Sequence, residues 1–250
     1  MISAVLAIGI LGGPTQGLPT GGEVISKMLA RYSGLTSLTG TIRLLVEAKA
    51  PTGSVGEEVD TTLQYQAPNK LYVRQDRSAP HNKTWIITSD GDKFSYNIPD
   101  NQERNATTTR LIEPVKNLQI SEIYAAASGS IGDRSAALGI AISWDKELRR
   151  IAASWPTHEL AGEVEVNGTK AWKVIGRYTE ALGGQQIGDY YMIVSKQGDL
   201  IEYAQRQYIA TPVDGVHRDP DHPTVLTQTW QVHLEPNGTP IPSLFTLVVR

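Results

Sequence analysis

The chain contains no cysteine among its 250 residues. That excludes disulfides, thiolate nucleophiles and cysteine-ligated zinc. A domain of this length needs no covalent staple, so both the cytosol and exported compartments stay open. Charge of one sign is lacking too. There are 23 basic and 26 acidic residues, net −3, with no basic stripe, which excludes nucleic acid as a partner. Phenylalanine is scarce, two against ten tyrosines and five tryptophans. That balance favours half-buried aromatic positions whose polar tips reach water.

Catalytic signatures are also missing. There is no G-x-S-x-G, no H-E-x-x-H and no Walker loop. The Gly-Gly pairs at 12–13, 21–22 and 183–184 lack the strand–turn–helix context that cradles phosphate. Asp145 with Glu147, or Glu163 with Glu165, are carboxylate pairs of the kind that surfaces carry routinely. The segment from His217 to His222 (HRDPDH) has metal-ligand residue types, stiffened by Pro220 and Pro223. Nothing fixes a third ligand, so a solvated charged loop is expected. No catalytic residue, metal or cofactor is expected, and the protein reads as a non-enzyme.

The apolar run Ile2–Leu11, followed by Gly-Gly-Pro, has the length of a signal-peptide core and is too short to span a bilayer. The first basic residue is Lys27, so the basic flank of a signal is missing. Either translation starts upstream of Met1, where a lipidation site would also fit, or the run is a frayed or partly buried end. The run favours a periplasmic or secreted location. Residues 1–22 read as a signal-like segment and linker, and 23–250 as one domain.

What the sequence does have is alternation. Hydrophobic residues make up 40% and charged ones 20%, enough for a packed core. Val24, Ile25, Met28, Leu29, Tyr32 and Leu35 follow the helical period, predicting a helix over Glu23–Leu38. Thr20 with Glu23 has the form of a capping box. From Thr39 the period switches to two. Ile42, Leu44, Val46 and Ala48 share one face, and Thr41, Arg43, Glu47 and Lys49 the other. Pro51–Gly56 reads as a turn. Val59, Thr61, Leu63 and Tyr65 then share a face, and Leu71–Arg74, Trp85–Ser89, Lys93–Ile98 and Gln102–Leu111 continue the meander. Leu118–Ser154 is Ala- and Leu-rich with Gly breaks and reads as a helical insert, about 117–156. Hairpins return at Glu163–Tyr178, with an Asn167–Gly168 turn, and at Asp189–Ile209. Pro212–Pro223 reads as a loop, Val225–Leu234 as a strand and Leu244–Val249 as a last strand. The fold class is α+β, a continuous antiparallel sheet with an N-terminal helix and a helical insert.

Several segments, in order, resemble the LolA/LolB-like lipoprotein-localisation family. They are VISKMLARYSGLTSL (Val24–Leu38), YQAPNKLYV (Tyr65–Val73), IITSDGDKFSYNIP (Ile86–Pro99), GTKAWKVIGRY, YYMIVSKQGDLIEYA and the closing IPSLFTLVV. The resemblance covers nearly all of the chain after Gly22. It implies a curved, unclosed half-barrel of antiparallel strands with helices as a lid over an apolar cavity. In the family's best-known members that cavity takes lipoprotein acyl chains. The resemblance therefore implies a lipid or lipoprotein acyl chain as partner, a membrane-associated protein as a second partner, and a monomer. The rival readings are a sensor or scaffold domain of the same fold that binds a protein, and a hydrolase.

The candidate ligand-binding residues are those on the expected inward faces: Ile42, Leu44, Val46, Leu63, Tyr65, Val73, Ile87, Phe94 and Tyr96, with Met192 and Val194 on later strands. The bland alternative is a filled core, which is what most dry sheet faces are. Leu118–Ser154 would be the lid. Arg43 resembles the strand arginine with which family carriers hold the lid shut, but its alternation with Ile42 and Leu44 points it outward to solvent.

Overall fold

The first helix starts where the sequence caps it. The structure, a computed structural model, describes residues 17–79, 82–99, 107–112, 158–179, 186–212 and 218–247. Helix α1 spans Gly21–Tyr32. Thr20 Oγ1 accepts the Glu23 N–H at 3.2 Å, and Glu23 Oε2 accepts the Thr20 N–H at 2.6 Å. The reciprocal pair satisfies donors that a bare helix start leaves open. The helix is shorter than the expected Glu23–Leu38. Gly34, at φ 67, turns the chain. Ser37 and Leu38 are instead drawn into strand pairing with Gln66 and Tyr65.

Among the described residues eleven strands follow: β1 (Ser37–Ala50), β2 (Gly53–Gln66), β3 (Lys70–Arg77), β4 (Thr84–Asp90), β5 (Phe94–Pro99), β6 (Thr107–Ile112), β7 (Glu159–Val166), β8 (Thr169–Thr179), β9 (Gln186–Ser195), β10 (Leu200–Pro212) and β11 (Arg218–Pro236). They form one antiparallel sheet in the order β6-β5-β4-β3-β2-β1-β11-β10-β9-β8-β7. Two meanders are joined along a single seam, where β11 brings the chain back to β1. Across it Ile42 faces Val232 and Leu44 faces Trp230. Among the described residues the end strands β6 and β7 pair on one side only, so the sheet is open. This is the α+β antiparallel architecture that the alternation implies, unclosed as the family resemblance implies.

The structure corrects three local expectations. The β1–β2 connection is only Pro51–Thr52, because pairing runs on to Ala50 and Gly53. Arg218–Pro223 is part of β11 rather than a loop. Before Val225 that strand has no β1 partner, and its pairing with β10 is irregular. Prolines are tolerated at such one-sided, bulged positions. Pro242–Phe245 is a 3-10 turn and not the start of a last strand. It reaches β3 and β4, and Phe245 is buried there. The signal-like run Ile2–Leu11 and the expected helical insert lie outside the described residues.

Strand alternation assigns the two faces. On the outer face Arg43 Nη2 meets Glu58 Oε2 at 2.5 Å, with Asp60 3.9 Å from Nε. This is the solvated position expected of Arg43. Ser37 and Gln64 also face outward. They hold the segment after β11, through Ser37 Oγ to the Gly238 carbonyl (2.6 Å) and Gln64 Oε1 from the Ile241 N–H (3.0 Å). On the inner face α1 packs against β7, β8 and β9, burying Val24, Ile25, Met28 and Tyr32.

Candidate functional site

The β1–β2–β3–β4 register stacks the inner face in cross-strand rows. At the end near the start of β1 the rows are apolar. Leu38, Tyr65 and Leu71 align in one, and Leu63, Val73 and Ile87 in the next. Phe94 continues the first row opposite Ser89. On the other side of the seam Trp230, Tyr203, Met192 and Val174 continue the row of Leu44 and Val59. Tyr203 stacks on Trp230 with ring centroids 4.9 Å apart.

Nine of the eleven residues singled out from the sequence share this face and one hydrophobic cluster: Ile42, Leu44, Leu63, Tyr65, Val73, Ile87, Phe94, Met192 and Val194. Val46 packs against it, partly buried. Tyr96 holds the register position opposite Ile87, and its side chain lies outside the described ones. The cluster is closed to solvent. Leu63 is 0% and Tyr65 6% exposed, with the other seven between those values. The tyrosines feel this burial. Tyr65 is pushed above the usual phenol range, and Tyr32 to about 12.

Further along the strands the inner face turns polar. Gln75 lies two residues past Val73, and its Nε2 donates to Thr61 Oγ1 at 3.1 Å. Arg77 follows, 3.7 Å above the Trp85 ring and 4.0 Å from Glu57. Burial lowers the Arg77 pKa. Beyond the seam, Gln205 Nε2 donates to Gln228 Oε1 at 2.6 Å, and Tyr203 OH donates to Gln205 Oε1 at 2.9 Å. The sequence reading did not single out Gln75, Gln205 or Gln228. The signal was present: each sits two residues from an inward position, so the period that places Val73 also places Gln75.

The helix is fastened at its C-terminal end to the β9–β10 turn. Arg31 Nε meets Asp199 Oδ1 at 2.7 Å, Lys27 donates to the Lys196 carbonyl, and Tyr32 OH accepts the Leu200 N–H at 3.1 Å. At its N-terminal end a pocket of about 190 Å³ opens between helix and sheet, lined by Val24, Lys27, Trp172 and Val194 among others. A larger groove of about 530 Å³, on strands β8–β10, is lined by charged residues that include Lys173, Arg177, Asp189 and Arg206. Asp189 is held there by Arg206 (3.2 Å) and by Tyr208 OH (3.0 Å).

Among the described residues no group of three His, Asp or Glu is placed to hold a metal, and no helix is long and apolar enough to cross a membrane. The His217–His222 side chains lie outside the described ones.

No protein-family model matches the sequence, and no curated protein is similar to it. Solved structures are similar in fold. LprF from Mycobacterium bovis is 12% identical over 86% of this chain and 94% of its own, with a TM-score of 0.42. The Mycobacterium tuberculosis lipoprotein LppX is 12% identical over 84% and 92%, TM-score 0.40. A LolA superfamily protein from Nitrosomonas europaea is 8% identical over 92% and 99%, TM-score 0.30.

Proposed function

We propose that the protein binds an alkyl chain of a lipid or lipoprotein, without catalysis, against the inner face of the sheet. In this reading it works in the periplasm or as a secreted protein, as a carrier. The observation that supports it is the apolar cluster itself, which runs from β5 across the seam to β8 on a sheet that is open among the described residues. Among the described residues one helix packs on that face, and it does so over β7–β9. Each buried CH₂ contributes about 0.8 kcal/mol, so a single acyl chain supplies useful affinity. The face is filled by the protein's own side chains in this structure, so a ligand enters by displacing them. Release is the reverse, with the side chains closing over the face again.

Native mass spectrometry of protein purified from its own host tests this, together with uptake of a fluorescent fatty acyl probe. Co-purified lipid and saturable uptake are expected. A lipid-free protein with no uptake would sink the carrier reading. Leu63→Asp places a charge in the centre of the apolar rows and should abolish uptake. A folded Leu63→Asp variant that takes up probe normally removes Leu63 from the site.

The scaffold reading draws support from the charged groove beside Asp189 and Arg206, a surface suited to a protein partner. It predicts a stable complex that Asp189→Ala weakens, with no lipid bound.

A further inference from the structure

We infer that the ligand carries an uncharged head group that donates a hydrogen bond, and that Gln75 reads it. This rests on the inner face being the binding site. Gln75 is 1% exposed, and its Nε2 is committed to Thr61. Among the described residues its Oε1 has no hydrogen-bond partner. A buried amide oxygen without a donor costs about 1–3 kcal/mol, and native proteins leave few of them. Gln75 stands at the boundary between the apolar rows of Leu63 and Val73 and the polar end of the same face. An alkyl chain lying along those rows brings its first polar atoms to this boundary.

The chemistry at the boundary selects the head group. Oε1 only accepts, so the ligand must present an O–H or N–H. A carboxylate or a fully ionised phosphate has no proton to give, and it would face the lone pairs of Oε1. Arg77 does not provide a lone positive charge to offset that, because Glu57 stands 4.0 Å from it. The flat Trp85 face beneath Arg77 adds an apolar wall. A hydroxyl- or amide-bearing head, as in a monoacylglycerol or a fatty acid amide, fits both conditions.

The test uses the full chain and two probes of equal chain length, oleic acid and monoolein, each titrated in competition with a fluorescent acyl probe below its micelle concentration. Monoolein should bind about tenfold more tightly than oleate, the value of one well-placed hydrogen bond. Gln75→Leu should erase that preference, bringing the two affinities within twofold of each other. Gln75→Met, close in volume, is the second variant if the first does not fold, judged by circular dichroism. Equal affinity of the two probes, or a preference that survives both substitutions, overturns the assignment of Gln75. Binding of neither probe overturns the proposed function itself, and this inference with it.

Discussion

At the residue scale, Tyr32 shows how one side chain ties helix to sheet. It is 1% exposed, and its hydroxyl takes the Leu200 N–H at the start of β10. Burial raises its pKa to about 12, against about 10 in an unfolded chain. A group whose folded pKa is the higher one gives its full stability below the unfolded value. That stability is lost as pH rises from about 10 through 12. Alkaline unfolding followed by circular dichroism should therefore steepen above about pH 10. Tyr65, raised by the same cause, contributes in the same direction. Tyr32→Phe should flatten part of that slope and cost about 1–3 kcal/mol at neutral pH, because the Leu200 N–H loses its acceptor. An unchanged slope would assign the alkaline loss to other groups. Arg43 makes the opposite case. Its pair with Glu58 is half exposed, so Arg43→Ala should leave stability nearly unchanged and leave probe uptake intact.

At the element scale, α1 is held by the turn between β9 and β10 more than by its own propensity. Short helices are marginal alone and depend on packing. Gly198 in that turn has φ +102, and a Cβ there would lie 3.0 Å from the Lys27 carbonyl. Only glycine combines that backbone with so close a helix. Gly198→Val should cost about 1–3 kcal/mol and raise hydrogen exchange in α1 before it does so in β1 or β2. Equal loosening of all three would mean that the helix has no separate hold. If acyl chains enter by displacing α1, the same variant should speed probe uptake.

At the scale of the whole molecule, the β1–β11 seam decides cooperativity. There the strands of the two meanders pair, Leu38 with Pro236 and Lys49 with Val225. Gly40 lies in that seam at φ +139, and a Cβ on it would collide with the His233 carbonyl. Gly40→Val should therefore open the seam, and thermal melts should show both meanders failing in one transition. Two separate transitions would mean that each half folds alone. The long sequence separation of the paired strands also implies slow folding, since loop-closure entropy is lost before the seam is made.

Much of this was legible in the sequence because side-chain alternation is a local property. The period of two placed Ile42, Leu63, Val73 and Ile87 on one face, and the Thr20–Glu23 box placed the start of α1. The position of Arg43 followed from the same count. Tertiary structure decided the rest. It ended the helix at Tyr32 because Ser37 and Leu38 had strand partners waiting. It extended β11 through two prolines because one side of that stretch carries no neighbour. It turned Pro242–Phe245 onto β3 and β4, where Phe245 is buried. It also set Gln75 and Arg77 at the end of the apolar rows. Alternation says which way a side chain points, but only the pairing of strands distant in sequence says what it points toward.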